Sequence, residues 1–218
     1  MTILVTGANR GIGYELCQQL KEMNETVIAV CRSSSSELDD LKVQVESGID
    51  ISSDASVANL VQRLQGGTIA VLINNAGMFQ QTTLEDLNFD SIRQQFEVNA
   101  MGALRVTEAL LPNLKAGSKI AMITSRMGSI ADNTSGGYYG YRMSKAALSM
   151  AGKSLAIDLK PRQIAVAILH PGMVSTDMTN HSGIPVAESV QGILQRIEQL
   201  NLQNSGTFWH ANGEELPW

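Results

Sequence analysis

The sequence supplies little from which to build a metal centre or a disulfide framework. It has two cysteines, Cys17 and Cys31, and no CxxC pair. Cys17 falls in a helical pattern and Cys31 at a strand end, so both read as buried thiols of a reducing cytoplasm. The three histidines, His170, His181 and His210, lack metal-ligand spacing, and no metal is expected. Basic charge is scarce as well. Lys and Arg total 16 against 21 Asp and Glu, for a net charge of −5 and a pI near 5.2. That balance argues against nucleic acid or an anionic membrane as a partner. No apolar run reaches about 18 residues, so no membrane-spanning segment is expected. The strand-like TILV at residues 2–5 leaves no room before it for a signal or transit peptide, and a cytoplasmic location follows. The only low-complexity stretch, Ser33 to Ser36, is short enough to be a loop.

What the chain does have is apolar residue. It is 44% hydrophobic over 218 residues, enough for one domain, 1–218, of the larger α/β kind. Apolar runs recur at residues 3–5, 26–30, 69–73, 119–123 and 164–169, with shorter ones at 43–46 and 207–209. Their hydrophobicity is continuous, as in strands buried on both faces. Helical patterns lie between them at about 11–23, 54–65, 88–115, 144–159 and 187–200. Alternation of this kind predicts a Rossmann-like, doubly wound parallel sheet of about seven strands with helices on both faces. Ligands of such sheets bind at the carboxyl ends of the strands, so the residues after each run matter most.

After the first run comes TGANRGIG, Thr6 to Gly13, carrying Gly7, Gly11 and Gly13. One glycine turns the chain, one lets backbone approach a phosphate, and one lets the helix pack close to the sheet. The helix N-terminus then presents free N–H groups to a pyrophosphate. The second run ends in Arg32 followed by serines, with no strand-end acid. An acid there would hold a ribose 2′-hydroxyl, as NAD sites do. Arg32, with Arg10 as a second cation, favours the 2′-phosphate of NADP(H), against a reading of both as solvated surface arginines. The fourth run leads into NNAG, Asn74 to Gly77, suited to hydrogen bonding and close approach of a cofactor. Asn99 interrupts an apolar helical stretch, where Asn is a poor residue. It either marks a satisfied break or bonds something specific. Ser125 follows the fifth run directly, and His170–Pro171–Gly172 follows the sixth. GGYYGYRMSK, Gly136 to Lys145, holds three of the four tyrosines. Tyr141 has Lys145 one helical turn on, and Tyr138 has Arg142 at the same spacing.

In this order, TGANRGIG, NNAG, Asn99, a strand-end Ser, Tyr141-x-x-x-Lys145 and PGMVSTDM resemble the short-chain dehydrogenase/reductase family over nearly the whole chain. The stretch GSIADNTSGGYYGYRMSKAAL and the ending GEELPW resemble its compact branch of sniffer-type carbonyl reductases and bacterial C-factor-like proteins. The resemblance implies an NADPH-dependent reduction of ketones or aldehydes. It also admits reduction of a 3-oxoacyl thioester, or a cofactor-binding signalling or scaffold protein with little turnover. It implies that Tyr141 exchanges a proton with the substrate oxygen and that Ser125 hydrogen-bonds that oxygen. Lys145 would bind the ribose and, with an oxidised nicotinamide, lower the Tyr141 pKa from about 10. Asn99 would help position a water that passes protons to Lys145. The cofactor contacts implied are Gly7, Asn9, Arg10, Gly11, Ile12 and Gly13 in the first loop and Arg32, Asp50 and Ile51 beyond it. Asn75, Ala76 and Gly77 join them, as do Tyr141 and Lys145, then Pro171, Gly172, Val174 and Thr176. The catalytic serine stays open between Ser125 and Ser129. The family spacing of about thirteen residues before the tyrosine lands on Gly128, and Ser125 is preferred because it ends a strand. The partners expected are a small carbonyl or alcohol substrate and further copies of this chain, as a homodimer or homotetramer.

Overall fold

Every strand of the computed structural model, which describes residues 1–218, belongs to one sheet of seven parallel strands. In chain order the elements are β1 (Thr2–Thr6), α1 (Gly11–Glu22), β2 (Thr26–Val30), α2 (Ser36–Asp40), β3 (Gln44–Glu46) and α3 (Asp54–Leu64). Then follow β4 (Ile69–Asn74), α4 (Phe89–Phe96), a π-helical segment (Glu97–Gly102), α5 (Ala103–Leu110) and β5 (Leu114–Ile123). The last elements are α6 (Tyr139–Asp158), β6 (Ala165–His170), α7 (Val186–Gln199) and β7 (Phe208–His210). The sheet order is β3-β2-β1-β4-β5-β6-β7, so the winding reverses between β1 and β4. That reversal opens a crevice above the carboxyl ends of β1 and β4.

The continuous apolar runs are explained by two cores. Ile3, Val5, Ile73, Ala121 and Leu169 point to one face and pack with Leu16 and Leu20 of α1 and with Val190 and Ile193 of α7. Their alternate neighbours Leu4, Leu72, Ile120, Met122 and Val166 point to the other face. There they meet Leu60 of α3, Val106 and Leu110 of α5, and Leu148 of α6. A strand with helices on both sides has no polar face to alternate with.

Three expectations are corrected. The helical pattern at 88–115 is not one helix. A π-helical segment interrupts it, and Leu114 and Lys115 already belong to β5. Helix α6 begins at Tyr139, not at 144, so Tyr141 lies in its first turn. The glycines and tyrosines before it hid the start, because no Ser, Thr, Asp or Asn cap announces it; the preceding Tyr138 is left-handed, with φ 52°. The serine run is only partly loop. Ser35 accepts a hydrogen bond from the Leu38 N–H and caps α2.

Candidate functional site

The crevice is walled on one side by the loop from β1 to α1. Gly7 is left-handed at φ 67°, and a Cβ there would lie 2.7 Å from the Ala76 Cα, so Gly7 permits the loop to cross the end of β4. Gly13 meets the loop from inside the helix: a Cβ would sit 2.1 Å from the Gly7 carbonyl oxygen. Arg10, the residue before α1, gives no side-chain cap, and the first turn carries no acid. The N-terminal N–H groups of a twelve-residue helix therefore face the crevice with no carboxylate to oppose an anion. Ile12 lies in this first turn, and Asn9 precedes Arg10 in the loop. Thr176 closes the other side, with its γ-methyl 3.4 Å from where a Gly11 Cβ would be. Nearby Val174 is buried and bridges to Ile184.

Asn75 works on this loop. Its amide donates to the Thr6 and Gly7 carbonyls at 3.0 and 3.2 Å, and the Thr6 hydroxyl accepts from the backbone N–H of Asn75 and Ala76. Its side-chain donors thus brace the glycine loop. Arg10 is likewise engaged: its guanidinium reaches Asp177 at 3.3 Å. Both side chains of that pair are largely exposed, and an exposed pair of this kind contributes about 0–1 kcal/mol, so an arriving phosphate can replace it. Arg32 has no carboxylate within ion-pairing distance and lines a cleft of about 300 Å³ with Asp50, Ser52, Arg93, Gln94, Glu97 and Val98. Asp50 is held below the usual carboxylate range by hydrogen bonds from the Ser52 hydroxyl and N–H, with Arg32 adding to the effect. Ile51 is buried against Gly102.

Asn99 sits inside the π-helical segment and is fully buried. Its side chain takes the Met78 N–H at 2.7 Å and gives hydrogen bonds to the Met78 carbonyl and the Ser144 hydroxyl. It thus ties the chain after NNAG to α6, and both readings of the sequence hold: it marks a break and it bonds something specific. Single π turns within α-helices occur mostly at functional sites.

Beside Asn99 stand the three groups that α6 and β5 bring together. Lys145 is buried, and its ammonium donates to the Ile123 carbonyl at 2.9 Å. Burial pulls its pKa down to about 8. A Cβ on Gly77 would come within 3.5 Å of the Lys145 Nζ, so the glycine leaves open the space between NNAG and the lysine. The protein packed around Tyr141 pushes its hydroxyl up to about 12, against a hydrogen bond with Ser125 that pulls it down. The Lys145 Nζ lies 5.8 Å from the Tyr141 ring centre. Within the protein alone Tyr141 stays above its ordinary value, because desolvation outweighs the lowering by Ser125.

The two serines have different hydrogen-bond surroundings. The Ser125 hydroxyl accepts from Met127 N–H at the start of the 126–128 turn and is the neighbour that lowers the Tyr141 pKa. The Ser129 hydroxyl accepts from Asp132 N–H and serves the next turn. Phe79 was not singled out by the sequence reasoning. Its ring packs edge-on against Tyr141 at 5.1 Å and tilted against Tyr138 at 5.7 Å. Its signal was an aromatic two residues after NNAG. Pro171 and Gly172 form the turn at the end of β6.

A family model described as short chain dehydrogenase matches residues 1–185. The chain is 40% identical to the 1-hydroxy-2-glutathionyl-2-methyl-3-butene dehydrogenase of Rhodococcus sp. (strain AD45), across 100% of this chain and 99% of that one. It is 47% identical to C-signal of Myxococcus xanthus over 156 residues, which covers 70% of this chain and 94% of that one. The NADPH-bound carbonyl reductase from chicken fatty liver superposes with a TM-score of 0.90 at 29% identity, covering 100% of this chain and 98% of that one. No helix is long and apolar enough to cross a membrane.

Proposed function

The chain belongs to the short-chain dehydrogenase/reductase family, and from that premise we propose that it is an NADPH-dependent carbonyl reductase, interconverting ketones or aldehydes with alcohols. The observation that carries this reading is the convergence of Tyr141, Ser125 and Lys145 at the end of β5, facing the opening left by Gly77.

The crevice fits the cofactor. The uncapped α1 terminus and the Gly7–Gly13 loop suit a pyrophosphate, Lys145 suits a ribose, and Arg32 suits a 2′-phosphate. When bound, NADPH supplies the hydride. The chain supplies the proton and the geometry. Tyr141 donates its hydroxyl proton to the carbonyl oxygen as that oxygen gains charge, and Ser125 donates a hydrogen bond to the same oxygen. Lys145, charged below pH 8, stabilises the tyrosinate left behind. Asn99 keeps Lys145 and NNAG in register through Ser144 and Met78, and, as the family resemblance implies, would help position a water that relays protons to Lys145. An NADPH-oxidation screen across ketones, aldehydes and 3-oxoacyl esters tests the reading. Turnover of 3-oxoacyl esters alone moves the assignment to thioester reduction. No turnover with intact NADPH binding moves it to a binding protein, such as the likeness to C-signal would suit.

Cofactor preference follows from Arg32. The expected result is tighter binding of NADPH than NADH, with Arg32→Asp losing about 1.5–3 kcal/mol on NADPH, roughly 10- to 100-fold in Kd. Equal Kd values for the two cofactors on the wild type would refute the assignment. The serines make a second test. Ser125→Ala should lower kcat well beyond its effect on NADPH Kd, and Ser129→Ala should be mild. The opposite ranking gives the role to Ser129.

A further inference from the structure

Segment 212–218 is absorbed into the fold on the side of Ser125. The Leu216 N–H donates to the Phe208 carbonyl at 2.8 Å, and Leu216 is buried with Ile168 and Phe208. The Trp218 ring packs on Phe208 at 5.5 Å, and the Trp218 carbonyl accepts from the Ala131 N–H at 2.9 Å. An ionic contact joins the same two segments. Arg126, next in sequence to Ser125, contacts Asp132 within its own loop and Glu214 across the gap, each at 2.8 Å. The Glu214 carbonyl in turn accepts from the His210 N–H at 2.8 Å. The His210 ring lies 3.4 Å from where a Cβ of Gly172 would stand and edge-on to His170 at 4.9 Å. One strap therefore joins the Ser125 turn to the Pro171–Gly172 turn at the end of the neighbouring strand β6.

We propose that Arg126 is a positioning residue for Ser125, anchored by Glu214, and that the 212–218 segment is in this way part of the catalytic architecture. The inference rests on the carbonyl-reductase reading. Both carboxylates neighbouring Arg126 lie within ion-pairing distance of its guanidinium, at 2.8 Å each. The Ser125 hydroxyl accepts from Met127, one residue past Arg126, so a shift of the arginine moves the turn that aims that hydroxyl. Misplacement of a reacting group by about 1 Å costs up to 10²-fold in rate.

The test is a double-mutant cycle with 2,3-hexanedione as the carbonyl probe, reading kcat, KM and NADPH Kd. Arg126→Gln should lower kcat by roughly tenfold or more with NADPH Kd within about twofold, Glu214→Gln should reproduce it, and Arg126→Lys should recover part of the loss. In a Ser125→Ala background, Arg126→Gln should then change kcat by less than about twofold. Equal losses in both backgrounds, or Glu214→Gln behaving as wild type, overturn the proposal, as does a rise in KM with kcat intact. If Arg126→Gln does not fold, Glu214→Gln carries the same cycle. If Ser125→Ala loses nothing, the serine reading fails and takes the proposal with it. If wild type reduces no carbonyl at all, the reductase reading fails separately. The anchor is then read from hydrogen exchange of the Ala131 amide, which Glu214→Gln should accelerate and which, unchanged, overturns the anchor.

Discussion

Replacing Tyr141 with Phe is expected to lower kcat by roughly 10²–10⁴-fold while leaving NADPH affinity within a few-fold of wild type. The ring makes the edge-on contact with Phe79, and Phe keeps it. What disappears is one hydroxyl, on the helix of the buried lysine and beside Ser125. A loss confined to kcat would mark an interaction made in the transition state and not in binding. Tyr138→Phe provides the contrast. Tyr138 precedes α6 in a left-handed conformation, held by its N–H to the Thr82 carbonyl at 2.7 Å, and its ring leans on Phe79. Its contribution is to the entry of the helix, so Tyr138→Phe should keep most activity. Stopped-flow turnover on the two variants decides the matter. An active Tyr141→Phe enzyme, or an inactive Tyr138→Phe enzyme that still binds NADPH, would mean that the proton comes from elsewhere.

The sequence exposed those parts of the fold where local chemistry and tertiary demand agree. Strands buried on both faces must be apolar throughout, and the seven runs were visible for that reason. The glycine loop was visible because no other residue fits where Gly13 meets Gly7. The start of α6 was obscured because tertiary contacts, not a cap, set it. Gly140 lets α6 press against α4, where a Cβ would come within 2.5 Å of the Gln95 Nε2, and neither element announces the other. The π segment was half visible, since Asn99 signalled an interruption but not its kind. The protein partners of Asn75 and Arg10 stayed hidden for a common reason. Each carries polar groups beside the crevice, and only the fold reveals that neighbours already occupy them. Arg126 gave no signal at all, because its partner Glu214 lies 88 residues away in sequence. In the protein alone burial raises the Tyr141 pKa, and a charged neighbour can be counted from sequence but desolvation cannot.

That last point sets the second large effect, at Lys145. Its folded pKa of about 8 lies below the 10.5 of the free side chain, because burial disfavours the ammonium. Below pH 8 both folded and unfolded chains carry the proton, and the folded state bears the full cost of the buried charge. Between pH 8 and 10.5 the unfolded chain binds a proton that the folded chain has released, so stability rises with pH through that window. The shift corresponds to on the order of 3 kcal/mol. Lys145→Met, which keeps length and removes charge, should therefore stabilise the cofactor-free protein at pH 6–7, less whatever is lost at the Ile123 carbonyl. The gap between variant and wild type in denaturant titrations should be largest below pH 8 and shrink towards pH 10.5. Activity should move the opposite way, with kcat falling by 10²-fold or more and NADPH binding weakened, since the same ammonium is assigned both the ribose and the tyrosinate. The pH profile completes the argument. With Tyr141 near 12 and Lys145 near 8, the ionisation that limits kcat/KM for reduction is the lysine's, so the wild-type rate should decline above pH 8 as the charge is lost. A Lys145→Met protein less stable than wild type at pH 6–7 with a gap that ignores pH, or a wild-type profile flat through pH 8–10, would show that the lysine is not the strained cation on which the mechanism relies.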